Sequence, residues 1–173
     1  MKNIFILLFC LIVCLSTIAQ DISDKYPSLI KRVKQINQDK SLTITTLENE
    51  AFLSQMTEGG GELTGFFKSG QIQKITRRIG LSYGVEIYEY YFTDGELIFV
   101  YETFDGFRHI ERSREFDYTK TERNFVGRYY FKNGKLIDSE TTGHNRFEDD
   151  TIDIESTLIK EVNYCVDILR KAR

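Results

Sequence analysis

One short pattern, written three times, constrains this chain more than any other feature: two aromatics, a spacer, a turn pair ending in glycine, a spacer, then an aliphatic. It reads Phe66-Phe67-Lys68-Ser69-Gly70-Gln71-Ile72, then Tyr91-Phe92-Thr93-Asp94-Gly95-Glu96-Leu97, then Tyr130-Phe131-Lys132-Asn133-Gly134-Lys135-Leu136. A two-residue hairpin loop needs positive φ at its centre, which Asp-Gly and Asn-Gly supply at little steric cost. Each copy therefore predicts a β-hairpin and its register. With the turn pair placed, Phe67 faces Ile72, Phe92 faces Leu97 and Phe131 faces Leu136, at sites where cross-strand side chains approach closely and each pair contributes roughly 0.2–1 kcal/mol.

Around these turns the alternation of apolar and polar residues predicts strands over 62–68, 71–79, 85–93 and 96–104, with a last hairpin over 122–132 and 135–141. The intervening stretch 105–121 is charged and reads as a surface excursion or an irregular edge strand. In the central hairpin, strict alternation puts Tyr88, Tyr90, Phe92, Leu97, Phe99 and Tyr101 on one side. Ile87, Glu89, Tyr91, Ile98, Val100 and Glu102 fall on the other, a mixed surface expected to be partly solvated. The same rule sets Glu89 opposite Val100 and Glu102 opposite Ile87.

Two helices bracket the strands. Tyr26, Leu29, Ile30, Val33 and Ile36 recur three and four apart, with Pro27 tolerated in the first turn. Over 151–171, Ile154, Leu158, Ile159, Val162, Cys165, Val166 and Leu169 form a second stripe. Residues 41–52 read as a short strand. The fold class is α+β: an antiparallel meander of about six strands with an N-terminal and a C-terminal helix packed against it, the apolar side under helix. Gly59-Gly60-Gly61 precedes a strand rather than a helix N-terminus, so it reads as a hinge or tight turn and not a phosphate cradle.

The first nineteen residues have the parts of a secretory signal: Lys2, an apolar run from Ile4 to Leu15, and small residues Thr17 and Ala19 before a cleavage point. The run is shorter than the roughly 20 residues that span a bilayer. The expectation is an exported protein, periplasmic or secreted, with residues 20–173 forming one domain and no stable membrane span. Leu11-Ile12-Val13-Cys14 resembles a lipoprotein box with Val where Gly, Ala or Ser belongs, which makes acylation at Cys14 the lesser reading. Loss of Lys2 moves the formal net charge from −3 to −4, giving no electrostatic reason to expect nucleic acid. Cleavage also leaves Cys165 as the lone cysteine, expected to be buried on its helix stripe.

The segments Gly127-Arg128-Tyr129-Tyr130-Phe131-Lys132-Asn133-Gly134-Lys135-Leu136 and Glu89-Tyr90-Tyr91-Phe92-Thr93-Asp94-Gly95-Glu96-Leu97 resemble the hairpin units of MORN-type repeat proteins. That resemblance implies an interaction or membrane-proximal scaffold and supplies no catalytic residues. Gly70, Gly95 and Gly134 stand 25 and then 39 residues apart, so a regular array of such units is not expected. With its signal and flanking helices, the whole chain also resembles small uncharacterised exported proteins of Gram-negative bacteria.

Candidate chemistry is sparse. His109 and His144 are the only histidines, and neither has a second histidine at metal-ligand spacing, so no metal is expected. Glu148-Asp149-Asp150 with Asp153 and Glu155 lacks the EF-hand spacing and reads as helix capping. Glu86, Glu89 and Glu102 with nearby tyrosines invite a carboxylate-based hydrolase, but the favoured reading is a non-enzymatic binding domain with no cofactor and no catalytic residue assigned. Its expected contacts are Glu89 and Tyr91 on the mixed face and Arg108, His109 and Arg112 on the excursion. The partner would be a protein or small ligand of the cell envelope, and the chain a monomer or weak oligomer. A carrier of an apolar ligand is the third reading. A pocket with convergent, perturbed titratable groups separates these alternatives from an open binding face.

Overall fold

The computed structural model of the chain describes residues 25–111 and 115–173. The signal segment and the candidate acylation site at Cys14 lie outside the described residues. In chain order the elements are α1 (Pro27–Gln38), β1 (Thr43–Glu48), β2 (Gly61–Lys68), β3 (Gln71–Leu81), β4 (Gly84–Thr93), β5 (Glu96–Ile110), β6 (Glu115–Lys132), β7 (Lys135–Thr142) and α2 (Ile154–Lys171). The strands form one antiparallel sheet in sequential order β1 to β7. There are seven rather than six because β1 pairs along β2, from Thr43 opposite Phe67 to Glu48 opposite Glu62.

The three patterned turns behave as expected at their tips. Ser69-Gly70, Asp94-Gly95 and Asn133-Gly134 all have positive φ, and Phe67–Ile72, Phe92–Leu97 and Phe131–Leu136 are partners. One step further on, each hairpin carries a bulge. Phe66 pairs with Lys74, Tyr91 with Phe99 and Tyr130 with Asp138, so Gln73, Ile98 and Ile137 are each left without an opposite residue. An extra residue inverts the alternation of its strand beyond that point.

That inversion corrects the expected faces of the central hairpin. Val100 and Glu102, not Phe99 and Tyr101, share a side with Tyr88, Tyr90 and Phe92. Glu102 stands opposite Tyr88, and Glu89 opposite Tyr101. The expectation of a partly solvated second face is also overturned, because the two helices take opposite sides. On one, Leu158, Val162, Cys165 and Leu169 of α2 pack with Leu63, Phe67, Ile75, Tyr90, Phe92, Val100, Tyr129 and Phe131. On the other, α1 lays Tyr26, Leu29, Ile30, Val33 and Ile36 over Tyr91, Phe99 and Tyr130. Two amphipathic helices need two apolar surfaces, and a central sheet has two to offer.

Local chemistry holds the helices in place. Asp153 caps α2 by accepting from Ser156 N at 2.8 Å, and Asp149 accepts from Thr151 N, so the acidic stretch serves capping and turns as expected. α2 crosses the strands: Glu155 near its start accepts from Leu136 N on β7, and Arg173 just beyond its end lies over Phe67 on β2. The glycine triplet makes a close backbone approach, with Gly59 N donating to Gly80 O at 3.1 Å and Gly80 N donating to Gly60 O at 2.8 Å. A side chain at Gly80 would meet the Gly59 backbone at 2.5 Å.

The charged stretch between the fourth and fifth predicted strands, expected as a surface excursion or an irregular edge strand, is strand over 105–110 and 115–121. β5 and β6 pair from Asp105–Arg123 to Ile110–Glu115 with irregular register, and from Phe107–Thr121 outward, past the last β4 pair Gly84–Gly106, they form a two-stranded ribbon. Phe107, Phe116 and Tyr118 interlock along it with ring centroids 5.1 and 6.3 Å apart. Among the described residues no helix is long and apolar enough to cross a membrane.

Candidate functional site

The residues expected to bind a partner do not come together. Tyr91, expected on a solvated face, is 1 % exposed beneath α1. Its hydroxyl donates to Glu89 Oε2 at 2.7 Å and accepts from Asn37 Nδ2 at 3.0 Å, while Lys74 Nζ pairs with Glu89 Oε1. The pair Glu89–Tyr91 thus ties α1 to the sheet, and burial with the Glu89 charge raises the Tyr91 phenol well above its ordinary range. Arg108 and His109 lie far along the ribbon instead. Arg108 Nε faces Glu122 at 3.6 Å with both side chains exposed, and His109 sets its ring against Phe116. Together with Ile110, Glu111 and Asp117 they border only a shallow, open depression. Arg112 lies outside the described residues.

A better-built site occupies the α2 side of the sheet, where register aligns Arg77, Tyr88 and Glu102 on adjacent strands. Glu102 is 6 % exposed, and both its oxygens accept from phenols: Tyr88 at 2.8 Å and Tyr129 at 3.0 Å. The Arg77 guanidinium lies over the Tyr88 ring at 4.5 Å and within 4.0 Å of Glu161 from α2. Arg146, on the 3₁₀ turn Arg146–Glu148, grips Glu161 with both terminal nitrogens and also covers the rings of Tyr88 and Phe147. Planar guanidinium groups suit such simultaneous pairing and stacking. Buried Nε of Arg77, Nε of Arg146 and the Tyr90 hydroxyl find no partner among the described residues.

Beside this network opens a cleft of about 190 Å³ lined by Tyr83, Glu86, Glu102, Phe104, Phe125 and the loop His144-Asn145-Arg146. Glu86 is two residues before Tyr88 on β4 and opposite Ile79, so it shares the network's face of the sheet. It is half-buried and, among the described residues, makes no hydrogen bond or ion pair. Burial raises its pKa, opposed by the charges of Arg77 and Arg146. Burial raises that of Glu102 as well, against the pull of the two phenol donors and Arg146. Tyr83, in the β3–β4 turn, is 51 % exposed and holds its ring 5.6 Å from Phe104 at the mouth. His144 is fully exposed, next to Glu148.

The sequence reading weighed Glu89 with Glu102 as the carboxylate pair and named Glu86 beside them; the register puts Glu89 on the α1 face and leaves Glu86 with Glu102, whereas Arg77, Tyr129, Arg146 and Glu161 escaped the sequence reading. Arg77 carried a signal, since alternation along Ile75, Arg77 and Ile79 seats a charge between two aliphatics on one face. No local pattern announced that Arg146 would reach it. A second cavity, a groove of about 620 Å³, runs between the three patterned turns and α2, past Gly70, Gly95, Gly134, Ile159 and Arg170. Compared with known protein families, curated proteins and solved structures, the chain matches none.

Proposed function

We propose that this chain is an exported, non-enzymatic binding domain that takes a small ligand in the cleft beside Glu86. The observation that carries the reading is the state of that one carboxylate, raised in pKa by burial, lining the cleft and, among the described residues, unpaired while its charged neighbours are all engaged. Convergent, perturbed groups in a concave site are where ligands are best sought. A carboxylate-based hydrolase would need two carboxyl groups free to act on substrate, but both oxygens of Glu102 are held by phenols. An apolar carrier fits less well, since two carboxylates and a guanidinium line the space. The resemblance of the hairpins to interaction scaffolds points the same way, without indicating this cleft.

The test is a thermal-shift screen of small polar metabolites against the parent and Glu86→Gln. Ligands that stabilise the parent and lose that effect in the variant support the reading. Equal stabilisation of both moves binding elsewhere, and turnover of a hit compound by the parent would make the protein an enzyme.

A further inference from the structure

The charges around Tyr88 do not balance. Three carboxylates, Glu86, Glu102 and Glu161, share electrostatic influence there with two guanidiniums, Arg77 and Arg146. Buried charge is stable when it is matched, so a site short of one positive charge favours a ligand that brings one. The excess is exposed to the cleft only at Glu86, because Glu102 is capped by two phenols and Glu161 is gripped by Arg146.

The remaining walls suit the same occupant. Tyr83, Phe104 and Phe125 supply aromatic surface, whose negative ring faces attract cations. An anion would find little to bind, since the terminal nitrogens of Arg146 are committed to Glu161 and its Nε is sealed from solvent. Resting on the reading of this cleft as the ligand site, we propose that it recognises a small organic ammonium group, with Glu86 as counter-ion and Tyr83 and Phe104 as the aromatic side of the box. About 190 Å³ limits the seated part to a head group of a few heavy atoms.

The experiment follows aromatic carbon–proton NMR signals of Tyr83, Phe104 and Phe125 during titration with tetramethylammonium chloride, n-butylammonium chloride, glucose and sodium acetate, with sodium chloride as the ionic-strength control. Saturable shifts with either ammonium probe, weakened at least about tenfold by Glu86→Gln, are expected. A preference for butylammonium would indicate a lysine-like amine, and one for tetramethylammonium a methylated head group. Tyr83→Ala, at an exposed turn, provides a second variant and should weaken tetramethylammonium most. Shifts from glucose or acetate alone would overturn the ammonium assignment yet keep the cleft as a binding site. If no probe moves these signals beyond the sodium chloride control, both fall. Ammonium binding equal in the parent and Glu86→Gln would also overturn the role given to Glu86.

Discussion

Replacing Glu102 tests whether the buried network is held as described. Glu102→Ala removes two charge-assisted hydrogen bonds and leaves the hydroxyls of Tyr88 and Tyr129 buried without their acceptor. At about 1–3 kcal/mol for each stranded group, the loss comes to roughly 2–6 kcal/mol. Glu102→Gln behaves differently, because its carbonyl can accept from Tyr88 while its amide donates to a rotated Tyr129 hydroxyl. Its cost should stay within about 1 kcal/mol and should depend on pH. Burial holds the Glu102 pKa above its ordinary 4.5, so the folded state binds more protons than the unfolded one just above that value. The stability this contributes is complete below 4.5 and is lost as pH rises through the folded-state pKa. Glutamine does not titrate, so the variant should gain on the parent between pH 4 and pH 7.5, a window chosen to bracket the usual carboxyl range. Urea unfolding at the two pH values measures the difference, and the other acids cancel in the comparison. A Glu102→Gln difference that does not change with pH, or a Glu102→Ala variant as stable as the parent, would refute the reasoning.

Three other outcomes follow from the fold. Tyr91→Ala empties a site under α1 and breaks the link to Glu89 and Asn37, so it should cost about 3–5 kcal/mol and lower the melting temperature by more than about 6 °C, whereas an exposed tyrosine would give almost no change. Gly134→Val has open space around it but a φ of +72°, so it should destabilise by more than about 1 kcal/mol through backbone strain alone, read by thermal denaturation. Cys165 is fully buried with its thiol pushed up to about 11 by burial, so a thiol-reactive dye at neutral pH should label it only after denaturant is added. Rapid labelling of the native protein would place that face of α2 at the surface.

What the sequence reveals here divides by the range of the interactions concerned. The turn pairs, the aromatic–aliphatic partners beside them, both helices and the burial of Cys165 depend on neighbours within a few residues, and all were legible. The bulges were not, since neither Gln73 nor the isoleucines Ile98 and Ile137 are a residue type that marks a bulge. In Leu97-Ile98-Phe99-Val100-Tyr101 every residue is apolar or aromatic, so composition cannot say where alternation breaks. The error in the central faces comes from that one residue, whereas Tyr91 kept its expected side of β4 and was misjudged as solvated because α1 covers that side. The candidate cleft was half legible: its carboxylates drew notice, but their convergence with Arg146 and Glu161 depends on contacts between distant parts of the chain.

The bulged turns lie along one margin of the sheet, and their repetition makes that margin a datum from which every strand pair is measured. Departures from the repeat interval must therefore emerge at the far margin, where the 39-residue spacing between Gly95 and Gly134 has become the β5–β6 ribbon. Such a plan lets the chain vary in length without repacking either helix. Residues can be added to or trimmed from the ribbon in matched pairs, two per strand, because an even change preserves which side chains face which way. Odd insertions would be absorbed only by another bulge, and the irregular β5–β6 steps beside Asp105 and Arg108 are where such odd lengths are already accommodated.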